Sequence, residues 1–258
     1  MRNIKLVIEY EGTGYAGWQE QRVKKGDPVP TVQACVKGAV EKVVGETVVL
    51  YGASRTDSGV HALGQVANFK TTSELPAGEF VPAINYYLSP DIVVRSAVEV
   101  PEDFHAQYSA RSKTYSYTVL NDRVPCAINR NLSYRYPWPL DVERMKEASR
   151  YLLGSHDFTA FSIEGSDKKN GVRTIKSFDI TRQDRYTRIV VGANGFLHKM
   201  IRGIVGTLLL VGRGKLGVDE FRRILESKDR RLAGPTAPAK GLMLLKVDYD
   251  RDEDGPQA

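Results

Sequence analysis

Apolar and polar positions alternate from the start of the chain. Ile4, Leu6 and Ile8 interleave with Lys5, Val7 and Glu9, which predicts a strand over 4–10. Gly26, Pro28 and Pro30 punctuate the loop that follows. From Thr31 the period becomes helical: Val32, Val36, Ala39, Val40 and Val43 recur at three- and four-residue spacing, with Thr31 as N-cap and Gly45 as the stop. Strands are then expected over 48–53 and 64–69, on either side of a loop over 54–61 that carries the turn pair Ser58-Gly59. A short helix over 79–88 and a strand over 92–100 complete this half.

The second half repeats the rhythm. Tyr115, Tyr117 and Val119 share one face of a strand over 114–120, and a helix is expected over 141–153. Strands over 175–182 and 186–192 form a hairpin around Gln183-Asp184. Helices over 195–211 and 218–226 and a strand over 242–249 follow. Strand, helix, strand, strand, helix, strand is the split βαβ order. A short echo, Asp103-Phe104-His105-Ala106 against Asp157-Phe158-Thr159-Ala160, supports the doubling. The expected fold is α+β (mixed α/β): two ferredoxin-like, RRM-like halves, 1–110 and 111–258, joining their mostly antiparallel sheets into one, with helices flanking it. The polar tail after Asp250 is expected to fray.

Composition narrows the class. The chain has 258 residues, 41% of them apolar and 26% charged, which is globular and excludes disorder and collagen. The longest uncharged apolar stretch runs only over 203–212, against about 20 residues for a membrane span. Cys35 and Cys126 have no neighbouring partner and no apolar signal segment follows Met1, so a reducing, cytoplasmic protein is expected. Four scattered histidines and two cysteines make no zinc pattern. Thirty-seven basic against 31 acidic residues give a net charge of +6, which permits nucleic acid as a partner without requiring it.

One motif misleads. Gly12-Thr13-Gly14-Tyr15-Ala16-Gly17 matches G-x-G-x-x-G after a strand, but no helix begins there to hold a pyrophosphate, so a glycine-rich turn is the preferred reading. Gly212-Arg213-Gly214-Lys215 lacks the phosphate-loop spacing and follows a helix.

Three features carry candidate chemistry. The loop Arg55-Thr56-Asp57-Ser58-Gly59-Val60-His61 gathers a cation, hydroxyls, a carboxylate and an imidazole between two strands. Taken alone it is equally a turn in which Asp57 bonds its own backbone, and local residues favour that. The helix after Gly195 is apolar nearly all round and contains Arg202 in its first turns. A guanidinium enclosed there needs an anion, for which Asp57 is a candidate; the alternative is an arginine that snorkels to solvent. Tyr115 and Tyr117 could stack on a base, as aromatics on RNA-binding sheets do, or be core residues at strand spacing.

Taken in order, these segments resemble the TruA family of tRNA pseudouridine synthases over nearly the whole chain. The resemblance rests on Gly14-Tyr15-Ala16-Gly17-Trp18-Gln19 with Gln21, Thr31-Val32-Gln33, the Arg55–His61 loop, Phe104-His105-Ala106, Ala110 to Tyr117, the helix segment from Phe196 to Gly206, and Gly241 to Leu244. It implies the pseudouridine synthase fold, and isomerisation of uridine to pseudouridine in the tRNA anticodon arm, on the 3′ side of loop and stem. It also implies no redox cofactor, nucleotide or metal ion, and a homodimer in which one tRNA touches both subunits.

By the same resemblance Asp57 is the catalytic carboxylate, acting as nucleophile or base. Arg202 pairs with it and keeps it ionised. Tyr115 stacks on the target base, Arg55 fills the space left by the flipped nucleotide or contacts phosphate, and Leu244 lines the base pocket. A base inside a stem must be flipped out to be reached. Candidates for offsetting that cost by phosphate contacts are Lys24, Lys25, Lys168, Lys169, Arg173, Arg222, Arg223, Arg230 and Arg231. Two rivals remain: a non-catalytic RNA-binding protein on the same doubled sheet, and a glycoside hydrolase, which would need a second carboxylate beside Asp57.

Overall fold

The computed structural model describes residues 1–20, 29–163 and 171–250. Lys24, Lys25, Lys168, Lys169 and the tail after Asp250 lie outside the described residues. The strands and α-helices run β1 (Arg2–Tyr10), α1 (Val32–Val44), β2 (Tyr51–Gly52), β3 (His61–Thr71), α2 (Phe80–Asn85), β4 (Ile92–Val100) and β5 (Ser112–Leu120). They continue as β6 (Tyr134–Arg135), α3 (Val142–Ser149), β7 (Gly154–Asp157), β8 (Val172–Gln183), β9 (Tyr186–Ala193), α4 (Met200–Gly212), α5 (Val218–Ser227) and β10 (Leu242–Asp248). The chain forms two compact units, Met1–Ser112 with the stretch that begins at Met243, and Lys113–Leu242. The split expected at 110 had assigned the whole of 111–258 to the second half. The last strand departs from it because Met243 and Leu244 hydrogen-bond in parallel to His61 and Ala62 of β3.

In the first unit β1 lies between β4 and β3, antiparallel to both. The other edge of β3 takes β2 at Asn68 and Ala67, and β10 at His61 and Ala62. The order β4-β1-β3-β2 is that of a ferredoxin-like sheet. Ile4, Leu6, Ile8 and Tyr10 are all buried, as their alternation requires. The opposite face is covered too: Val66, Val100, Phe104, Ala106 and Tyr249 share a cluster with Ala53.

Helix α1 begins and ends where its caps dictate. The Thr31 side chain accepts from the Ala34 amide at 3.3 Å, and Gly45 adopts the left-handed conformation at φ 71°. Within the expected strand over 48–53, β2 covers Tyr51–Gly52 and the Ala53 amide adds one bond to the Val66 carbonyl at 2.8 Å, and the helix expected over 79–88 is a 3-10 turn leading into α2.

In the second unit β9 pairs antiparallel with both β5 and β8, β7 borders β8, and β6 runs parallel to β5. The hairpin turns at Asp184, which takes φ 53°. Helix α4 starts at Met200 rather than Gly195, because Lys199 takes a left-handed φ of 59° and breaks the helical hydrogen-bond run before it. Among the described residues no helix is long and apolar enough to cross a membrane.

Candidate active site

The Arg55–His61 loop leaves the sheet of the first unit after β2 and re-enters it as β3. Its stem is clamped by one buried amide: Gln65 Nε2 donates to the Ser54 carbonyl at 2.7 Å, and Gln65 Oε1 accepts from the Ser54 amide at 3.2 Å. Within the loop the Val60 amide closes a turn on the Asp57 carbonyl at 3.1 Å, with Gly59 at φ 77°. The positive φ at Gly59 is the one the residues alone suggested, and the closing bond is made by the Asp57 main-chain carbonyl. The turn leaves Asp57 half-buried and Arg55 exposed.

What fixes this loop is the glycine-rich turn after β1. The Trp18 amide donates to the Thr56 carbonyl at 3.1 Å, and the Ser58 hydroxyl donates to the Tyr15 carbonyl at 3.0 Å. The Tyr10 and Thr56 hydroxyls meet at 2.8 Å, and the Gly12 amide donates to His61 Nδ1 at 3.0 Å. Gly17 must be glycine twice over: its φ is 95°, and a β-carbon there would lie 2.5 Å from the Thr56 carbonyl oxygen. The G-x-G-x-x-G match is therefore a cradle for the Asp57 loop. Glu11 also lies 3.6 Å from His61 Nδ1. A nitrogen that accepts from Gly12 has no proton to give a carboxylate, so this is proximity rather than an ion pair.

Gln33 holds the next layer. Its carbonyl oxygen accepts from Gln19 Nε2 at 2.7 Å and the Glu20 amide at 2.8 Å, while its Nε2 donates to the Leu50 carbonyl at 2.8 Å. Leu244 is fully buried and pairs across from Ala62, one residue past the end of the loop. The structure thus gathers Arg55, Asp57 and Leu244 on one unit.

Tyr115 and Arg202 belong to the second unit. Tyr115 is buried, and its ring meets Phe196 edge-to-face at 5.2 Å. Arg202 stands in the first turn of α4 and is half-buried, not enclosed as expected, because the helix begins only two residues earlier. Its Nε donates to the Ala237 carbonyl at 2.7 Å, and its own carbonyl accepts from the Ala237 amide at 3.0 Å. Tyr117 binds the neighbouring residue, its hydroxyl donating to the Pro238 carbonyl at 2.8 Å; burial pushes that phenol well above its usual pKa. Residues 237 and 238 therefore tie the Tyr115 strand to the Arg202 helix. Sequence reasoning missed that loop, and Gln65 as well.

Several expected phosphate contacts are engaged within the chain. Arg222 pairs with Glu226 at 2.8 Å, Arg231 with Asp229 at 2.6 Å, and Arg230 donates to the Gly234 carbonyl at 2.9 Å. Among the described residues no group of three His, Cys, Asp or Glu is placed to hold a metal ion.

A family model described as tRNA pseudouridine synthase matches residues 6–109 and 148–250. A relative from Acetivibrio thermocellus, tRNA pseudouridine synthase A, is 48% identical over 249 residues, covering 96% of this chain and all of that protein. A Clostridium perfringens relative, tRNA pseudouridine synthase A 2, is 49% identical with the same coverage. A solved Cbf5-Nop10-Gar1 complex aligns at 10% identity and a TM-score of 0.38, over 93% of this chain and 57% of that one, too loosely to carry an argument.

Proposed function

Because the chain belongs to the tRNA pseudouridine synthase family, we propose that it isomerises uridine to pseudouridine in the anticodon arm of tRNA, with Asp57 as the catalytic carboxylate. The bond from uracil N1 to the sugar C1′ breaks, the base turns, and C5 bonds to the same carbon. N1 gains a proton and C5 loses one, so no oxidant, reductant or co-substrate enters. Asp57 serves either as nucleophile at the sugar or as base toward a glycal. The observation that carries this reading is the Asp57 loop itself. Its backbone is pinned from three sides while the residue itself is only partly buried, which is the combination of rigidity and access that a catalytic group requires.

The remaining roles rest on the family resemblance. Arg202 is the cation that serves this carboxylate. Tyr115 stacks on the flipped base, Leu244 is part of its apolar surround, and Arg55 contacts phosphate or the space the nucleotide vacates. The enzyme works without cofactor or metal, in the cytoplasm, as a homodimer with one tRNA across both subunits.

Tritium release from tRNA labelled at uracil C5 tests the reading, since forming the new bond must expel that atom. With chelator present, the parent should release label, and Asp57→Asn should bind tRNA but release none. A parent that binds without release would mark the chain as a non-catalytic RNA binder. Full release by Asp57→Asn would remove the carboxylate from the mechanism.

A further inference from the structure

The first unit carries an aromatic feature that the reaction does not use. The Tyr51 ring centroid lies 4.6 Å from that of His105, and His105 lies 4.4 Å from Tyr108, at tilts of 44° and 33°. Both ends are open: Tyr51 is 42% and Tyr108 78% exposed. Singly exposed aromatics are ordinary, but three rings in contact on a fixed frame are not.

The frame is built. Asn3 Nδ2 donates to the carbonyls of Pro101 at 3.0 Å and Phe104 at 2.9 Å. Asn68 donates to Asn3 Oδ1 at 2.9 Å and accepts from the Ala106 amide at 2.9 Å. The Tyr249 hydroxyl donates to the Ala106 carbonyl at 2.7 Å, and the Ser109 amide to the His105 carbonyl at 2.9 Å. A buried asparagine pair therefore holds the turn that presents His105 and Tyr108.

The same turn sets the imidazole tautomer. His105 Nδ1 accepts from the Gln107 amide at 3.1 Å and more weakly from Tyr108 at 3.4 Å. An accepting nitrogen carries no proton, so the ring N–H sits on Nε2. Desolvation by burial pushes this histidine below its usual pKa and favours that neutral form. The ladder thus offers stacking faces and one fixed donor. It lies on the same unit as Asp57: Tyr51 precedes Asp57 by six residues, so at most about 22 Å of extended chain separates them, and the exposed cation Arg55 stands between them in the sequence.

We propose that Tyr51, His105 and Tyr108 form a stacking platform for an unpaired RNA base near the target uridine, so that the arm is gripped at a second nucleotide. The proposal rests on the tRNA reading above. RNA is favoured over a second copy of this chain because stacking faces and a single N–H donor match a nucleotide's base face and base edge, and Arg55, four residues along the chain from Tyr51, is a cation for its phosphate.

Tyr108→Ala and Tyr108→Phe test it, each measured for tRNA affinity, salt dependence and single-turnover release at saturating tRNA. Tyr108 is exposed, so both variants should melt with the parent. Alanine should weaken binding roughly tenfold, phenylalanine should restore it, and the saturated rate should hold, as loss of one stacked base predicts. The slope of affinity against salt should not change, because no phosphate contact is removed. Parent-like affinity in the alanine variant, alongside normal release by the parent, overturns the platform alone. A shallower salt slope makes the site a phosphate contact, and a shift from dimer to monomer makes it a subunit contact; either overturns the proposal. A parent that fails to bind tRNA overturns the functional reading and the platform with it. A parent that binds without release, with alanine still weakening binding, leaves the platform standing and removes the reaction.

Discussion

Arg202 shows how far a single residue's environment can be judged from its neighbours in sequence. An apolar helix predicted a buried guanidinium; the late start of α4 at Met200 leaves it half-buried, with its Nε bonded to the Ala237 carbonyl. The stability at stake includes that of the charge-assisted hydrogen bond to Ala237, about 1.5–3 kcal/mol. We expect Arg202→Met to lower the urea unfolding free energy by at least that amount while removing nearly all tritium release. A variant that keeps full turnover would show that Arg202 serves only the 237–238 loop. The turn at Asp57 was legible because Ser58-Gly59 carries turn chemistry, whereas the catalytic role of Asp57 came only from the family resemblance. Gln65 was not: a glutamine in an apolar strand looks like any polar interruption until register places Ser54 opposite it.

At the scale of elements, legibility followed the strength of the local signal. Helix α1 was readable to the residue because a hydroxyl cap and a glycine stop bracket a clear helical period. Strand β7, with the polar sequence Gly-Ser-His-Asp, carries no alternation and was missed. Helix α4 was recognised but its start was misplaced, since an all-round apolar pattern contains no boundary information. Its glycines were the better clue. A β-carbon built at Gly206 would overlap the Pro235 carbonyl oxygen, so the helix backbone lies directly against the 235–238 segment that Arg202 and Tyr117 both anchor. Gly206→Ala should therefore cost about 1–3 kcal/mol through overpacking and depress turnover as well, because the segment it displaces holds Arg202. Thermal melts and tritium release check this together. A loss of stability with release unchanged would separate α4 packing from the site.

At the scale of the whole molecule, one titratable group in each unit carries an opposite signature at alkaline pH. In the second unit, burial and then the nearby Arg173 hold the Lys113 ammonium down to about 8 from 10.5. Between those values the unfolded chain keeps a proton that the folded one has lost, so unfolding free energy rises with pH from about 8 to 10.5. In the first unit, burial chiefly raises the Tyr15 phenol to about 12 from 10.0. Between those values the folded chain keeps the proton, so stability falls as pH rises from about 10 to 12. Urea midpoints across pH 7–12 should therefore climb and then turn over near pH 10. Lys113→Met should flatten the climb, and Tyr15→Phe should remove its share of the fall. If the units unfold as one, each substitution moves the same transition; if they unfold separately, Lys113→Met alters only the transition of Lys113–Leu242. A climb that survives in Lys113→Met would show that other groups set the alkaline limb.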